Sequence, residues 1–172
     1  MKKLLILALA AALPAAAQPA GPLLWMPDSP TALTSACDDA IAKARATVAE
    51  MEAKAGGAGF LVEWNQLQVA NEGVIYSISN LGSLHPDKAM RDAAEPCLQK
   101  ASAFNTDLFQ SEKLYARVQA IQPADPREAK LKKNLVEGFE DSGVVLPPDK
   151  RARQGDLAAS GADPAVVRAR DA

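Results

Sequence analysis

An all-α fold is the architecture that this sequence predicts, and three observations carry it. Ala, Leu, Glu and Lys dominate the chain while aromatic residues make up only 5%, a composition that favours helix over sheet. Apolar residues recur at steps of three and four over long stretches, the spacing of one face of a helix. Helix-start signals, an N-cap residue followed by proline or by a first-turn acid, stand at the head of these stretches. Together they predict about four long helices in an antiparallel, short-looped array with an irregular C-terminal tail.

The chain opens on a tripartite leader. Lys2 and Lys3 form a basic segment, residues 4–12 an apolar run, and Ala15, Ala16 and Ala17 a small-residue cleavage site, so a cut between Ala17 and Gln18 is expected. The apolar run falls short of the roughly 20 residues that span about 30 Å of hydrocarbon. It reads as a secretory signal over 1–17, which places the mature chain in the periplasm or outside the cell, with no membrane association once the signal is gone. Losing Lys2 and Lys3 makes the formal net charge of −2 two units more negative. Acids and bases are interspersed, and no basic stripe points to nucleic acid.

Residues 18–28, QPAGPLLWMPD, carry three prolines and a glycine and no helical period, and read as an irregular lead-in. A single helical domain is expected over 29–153. Its first helix starts with Ser29 as N-cap and Pro30 at the first helical position, buries Leu33, Cys37, Ala40, Ala44, Val48 and Met51, and stops at Gly56 and Gly57. Asp38, Lys43, Arg45 and Glu52 mark its wet face.

A second helix is expected from about Phe60 to Asn80, with Phe60, Trp64, Leu67, Val74, Ile78 and Leu81 inward. Asn71 interrupts that stripe, either fixing the register between helices or opening a ligand site. Gly73 lowers helix propensity by about 1 kcal/mol, which predicts a close helix contact or a break beside it. The β-branched run from Val74 to Tyr76 makes a short strand the rival reading.

After a turn at residues 82–86, the longest helix is expected from Asp87 to Ile121, with Met90, Ala94, Cys97, Ala101, Phe104, Leu108, Tyr115 and Val118 on one face. Pro96 removes a backbone hydrogen bond and crowds the preceding turn, an effect worth about 3 kcal/mol in a straight helix. A kink or boundary is therefore expected between Ala93 and Pro96. The last helix starts with Asp125 as N-cap, Pro126 next and Glu128 completing a capping box. It is expected to bury Leu131, Leu135, Val136 and Phe139 and to end at Gly143, before an extended link at Pro147 and Pro148.

Cys37 and Cys97 are the chain's two cysteines, each on an apolar helix face. Export would allow a disulfide between them; the alternative is two buried thiols acting as small hydrophobes.

Catalytic groups are scarce. His85 is the single histidine and stands before Pro86, where it suits a cap or turn. One imidazole does not make a zinc site, which needs two a helical turn apart with a carboxylate ligand, and no nucleophile motif accompanies it. The adjacent carboxylates Asp38 and Asp39, and Glu140 and Asp141, do not share a helix face. The basic residues Lys130, Lys132, Lys133, Lys150 and Arg151 are spaced with acids, and Gly56, Gly57 and Gly59 lack the rest of a phosphate loop. No catalytic residue, metal ligand or cofactor is expected in this chain.

Two stretches, His85 to Tyr115 (HPDKAMRDAAEPCLQKASAFNTDLFQSEKLY) and Leu131 to Arg153 (LKKNLVEGFEDSGVVLPPDKRAR), carry a resemblance. They resemble the N-terminal helical region of the M3-family zinc oligopeptidases, the group of thimet oligopeptidase, neurolysin and bacterial oligopeptidase A. The second stretch is similar to the family's helix, glycine turn, "LP" and basic helix start. Pro96 departs from the family, in which the helix continues smoothly.

The resemblance implies a wall of the family's deep channel, which admits short peptides and whose opposite wall holds the HExxH zinc site. That motif is absent here, so the implied chain binds no zinc, is inactive alone, and has short peptides and a separate catalytic half as partners. A stand-alone helical binding module and the non-catalytic part of a split enzyme are the alternatives. Residues Asp149 to Arg151 would begin a further helix in the family, a helix expected to fail here, and the following text, QGDLAASGADPAVVRARDA, has lost apolar periodicity. Residues 154–172 read either as a frame-shifted end or as a natural disordered tail.

Overall fold

The computed structural model describes residues 26–147 and 149–151. The leader, the pair Ala17 and Gln18, most of the lead-in and the expected tail lie outside them. The described residues form α1 (Pro30–Glu52), α2 (Phe60–Leu84), α3 (Lys88–Phe109), α4 (Glu112–Gln119) and α5 (Pro126–Asp141), with no strand among them.

Each start has a local cause. Ser29 Oγ accepts the Ala32 N–H at 3.3 Å, Asp87 Oδ1 accepts that of Ala89 at 2.9 Å, and Ser111 Oγ accepts that of Leu114 at 3.2 Å. Asp125 caps α5 through the Arg127 and Glu128 amides, while the Glu128 carboxylate takes the amide of Ala124, one residue ahead of the expected capping-box partner. The loop between α1 and α2 turns on Gly56 and Gly59, at φ 71° and 72°, a region that favours glycine.

Four expectations are corrected. Helix α2 runs unbroken through Gly73 and the Val74 to Tyr76 run, because Val74 and Ile78 gain burial on the helical face, which overrides strand propensity. A Cβ on Gly73 would meet nothing within 4 Å, so the expected close contact is absent as well. Helix α3 has no boundary at Pro96 and ends at Phe109 instead. Pro96 is exposed, which leaves the freed Asp92 carbonyl to water. The single long helix is thus two, α3 and α4, divided at Gln110 and Ser111.

The fourth concerns α5 and the chain after it. Leu131 is 51% exposed, and α5 buries Phe139 fully with Leu135 and Val136 partly. The helix ends at Asp141 and Gly143 follows at φ 86°. Residues Asp149 to Arg151 are helical, and the Arg151 N–H donates to Pro147 O at 3.0 Å, so a first turn does form where a helix start was expected to fail.

Cross-links fix the topology. Cys37 bonds Cys97, Lys100 pairs with Asp38 and Arg45 pairs with Asp107, so α1 and α3 run parallel. Gly82 approaches Ala94 while Trp64 meets Phe109, so α2 runs antiparallel to both, and the three helices pack on one another. This up-down-up bundle is closed at one end by α4 and α5.

The core has two clusters. Around the disulfide lie Leu33, Ile78, Leu81, Met90 and Ala94. Toward α4 and α5 lie Met51, Phe60, Trp64, Leu67, Phe104, Leu108, Leu114, Val118 and Phe139. Full burial of one such large side chain stabilises the fold by about 1.5–3 kcal/mol.

Candidate functional site

The residues that bear chemistry are dispersed. His85 is the C-cap of α2; its Nδ1 accepts the Asp87 N–H at 3.1 Å and its carbonyl accepts from Arg91 Nη1 at 2.6 Å. Asp38 is tied to Lys100, and Glu140 accepts the Tyr115 hydroxyl at 2.6 Å. Lys132 Nζ donates to the carbonyls of Gln119 and Ile121, Lys133 pairs with Glu137, and Arg151 pairs with Glu112. Among the described residues no three His, Cys, Asp or Glu side chains gather where they would hold a metal ion.

Cys37 and Cys97 form a disulfide between α1 and α3, with Cα atoms 6.0 Å apart. Both are buried within the aliphatic cluster. The bond ties α1 to α3 from a position closed to reagents.

Among the described residues the buried charge is Arg117, whose side chain is 4% exposed. It lies on α4 one turn after Leu114 and beside Val118, with Ile121 following just past the helix end. Its Nη1 donates to Met51 O and Glu63 Oε2, both at 2.8 Å, and its Nε donates to Gly56 O at 3.0 Å. The guanidinium also lies 5.0 Å from the Phe60 ring centroid, within cation–π range. Arg117 thereby holds the end of α1, the glycine loop and the start of α2 against α4.

Glu63, which also pairs with Lys54, is held below the usual carboxylate range by the Lys54 hydrogen bond first and by Arg117 next, with desolvation opposing them. Sequence reasoning did not single out Arg117. An arginine in line with Leu114, Val118 and Ile121 was the signal available.

A groove of about 500 Å³ runs between α1 and α2. Ala36, Ala40, Ala44 and Ala70 line it with Leu67, and the short alanine side chains leave it room. Asp39, Lys43, Thr47, Gln66 and Asn71 add polar groups. Asn71, the residue that breaks the apolar stripe of α2, is half-buried at this groove. The arrangement offers amides, a hydroxyl, one carboxylate and one ammonium, which suit hydrogen bonding to a polar chain. It contains neither an imidazole nor a thiol, and so no metal ligand set or activated nucleophile.

No helix of the described residues is long and apolar enough to cross a membrane. Comparison with family models, with curated proteins and with solved structures gives no match to this chain.

Proposed function

We propose that this chain is the N-terminal, channel-wall segment of a secreted M3-like zinc oligopeptidase, an enzyme that hydrolyses short peptides when its catalytic half is present. The observation that carries the reading is the pair of resembling stretches, 85–115 and 131–153. They fall on α3, α4, α5 and the turn after α5. The leader over 1–17 supports export. The α1/α2 groove, with amide and hydroxyl groups above a floor of small residues, supports contact with a peptide main chain.

Zinc does not fit the residues of this chain. His85 is its single histidine and is engaged in a turn. The segment's part in the reaction is to bind and confine a peptide while a catalytic half supplies the metal. A second reading, a free-standing helical interaction module, is favoured by the two-cluster core and its disulfide, which give the chain a hydrophobic centre of its own.

The test is reconstitution. The exported chain is mixed with an HExxH-bearing catalytic half of an M3 oligopeptidase and a fluorogenic short peptide. The wall reading expects a stable complex and chelator-sensitive hydrolysis in the mixture alone. Failure to associate, with a cooperatively folded chain by calorimetry, would favour the module. Stoichiometric zinc uptake or peptide cleavage by the isolated chain would overturn its assignment as non-catalytic.

A further inference from the structure

The corner at which α2 turns into α3 is apolar and open. Met26, Leu81, Leu84 and Pro86 line a pocket of about 250 Å³ there, and no Lys, Arg, Asp or Glu is among its lining residues. Leu84 and Met26 are 77% and 69% exposed, the two highest values among the large apolar side chains of the described residues. Leu81 is buried and connects the pocket to the disulfide cluster. That cluster contains no aromatic ring.

The sequence places an apolar segment at the rim of this pocket. Leu23, Leu24 and Trp25 stand immediately ahead of Met26 and form with it an unbroken run of large apolar side chains. A run of that kind is unfavourable in water unless something covers it, and an aromatic ring has about 150–250 Å² to bury. The covalent connection decides what can cover it first. Met26 already lines the pocket, so Trp25 is one residue away and Leu23 lies within about 11 Å along even a fully extended chain. A tether so short holds the segment at an effective concentration of order millimolar, so a weak intrinsic preference is enough to fill the pocket. Residues 18–27 carry no charged side chain, which matches the uncharged lining.

We propose that the segment from Leu23 to Trp25 folds back over Leu84 and Pro86 and seats the Trp25 ring in this pocket. The occupant is the chain's own lead-in, acting as a clasp between the start of α1 and the turn from α2 to α3. It adds to the disulfide end the aromatic area that its cluster lacks. The docking concerns this chain alone and is independent of the peptidase reading.

Tryptophan fluorescence of the exported chain is the test. Trp25 and Trp64 are the chain's two tryptophans, so the difference between the unaltered protein and Trp25→Phe isolates the Trp25 emission. That emission is expected to lie to the blue of indole in water, to resist quenching by acrylamide, and to be unaffected by dilution. Leu84→Lys changes the exposed last residue of α2, where a cation suits the helix dipole. It should shift the Trp25 emission to the red and open it to the quencher, with helix content by circular dichroism unchanged. Leu84→Gln should act in the same direction without adding charge. Val69→Lys, at another exposed site of α2 outside the pocket lining, should leave the Trp25 emission as it is.

A red, freely quenched Trp25 in the unaltered chain overturns the proposal. So does a protected Trp25 that is indifferent to both Leu84 variants, or one that Val69→Lys releases equally. Protection lost on dilution would assign the pocket to the segment of a second copy, and likewise overturns docking within the chain. Because the emission is read without zinc, peptide or a catalytic half, this proposal and the peptidase reading can each fail while the other stands.

Discussion

At the end of the bundle where α1 begins, Cys37 and Cys97 join α1 to α3 amid Leu33, Ile78, Leu81, Met90 and Ala94. At the opposite end, Phe60, Trp64, Phe109 and Phe139 stack with centroids 5.1–5.8 Å apart and α4 lays Arg117 beside them. One end is cross-linked and the other is filled. The reason lies in side-chain size: aromatic rings bury about 150–250 Å² each, and the disulfide end has none in its cluster. A covalent bond compensates there for apolar area that small residues do not supply. The aromatic end joins all five helices without one, and its buried cation Arg117 is satisfied by two backbone carbonyls and a carboxylate.

The largest expected break of this contrast is Phe139→Ala. Phe139 is fully buried and touches the rings of Trp64, Phe109 and Tyr115. Its removal leaves a cavity at the junction of α5 with the bundle and should lower stability by about 3–5 kcal/mol. Urea unfolding checks the figure. A loss below about 1 kcal/mol would show that α5 is not part of the cooperative unit.

The disulfide comes next. Its cysteines are 60 residues apart, so replacing both by alanine should destabilise the chain by about 2–4 kcal/mol. Reductant present during urea unfolding, which exposes the bond, should produce a similar loss, and mass spectrometry should find no free thiol before reduction. The comparison sharpens in the combined variant: Phe139 and the disulfide lie in separate clusters, so their effects should add within about 0.5 kcal/mol. Strong non-additivity would mean that the two ends are one core.

Much of this arrangement was legible in the sequence because its causes are local. Ser29 with Pro30 and Asp125 with Pro126 start helices where their chemistry dictates, and the period of α1 marks Leu33, Cys37, Ala44 and Met51, all of which are buried. The break between α3 and α4 was misplaced because Pro96 carries the stronger local signal. The deciding fact, that Pro96 faces water, is tertiary. Ser111, which caps α4, was the quieter and decisive residue.

Arg117 and the exposure of Leu131 were hidden for the same reason. Each sits at an apolar helical position, and only the placement of neighbouring helices determines which is buried. The candidate groove was less legible still, since its small residues and Asn71 acquire meaning only where α1 and α2 diverge.

Arg117→Met tests the polar half of the contrast. The change keeps volume while removing every donor, leaving Met51 O and Gly56 O without this partner and Glu63 with Lys54 alone. A loss of about 2 kcal/mol is expected, less than for either the ring or the disulfide, because the loop carbonyls recover water when it loosens. Arg117→Lys should rescue only part, since an ammonium lacks the planar fork that reaches carbonyl and carboxylate together.

The smallest effect is one of pH, and it carries a sign. Glu63 is held below the usual carboxylate range in the folded chain by Lys54 and Arg117. Its contribution to stability is therefore complete above about pH 4.3, the ordinary glutamate value, and is lost as pH falls through that value toward the lower folded one. Tyr115 works in the opposite direction: its hydrogen bond to Glu140, followed by burial, raises its pKa, so its contribution is complete below about pH 10 and is lost as pH rises beyond it. Both contacts reach solvent, so each should amount to less than about 1 kcal/mol. Glu63→Gln should flatten the acid limb of the stability curve without altering the alkaline limb, and Tyr115→Phe should do the converse. Both titrating groups belong to the aromatic end and neither touches the disulfide cluster, so the two-alanine variant should retain both limbs at a lower overall stability. A changed acid limb in that variant would show that the cross-link helps to position Glu63, and that the two ends are mechanically coupled through α1 and α2.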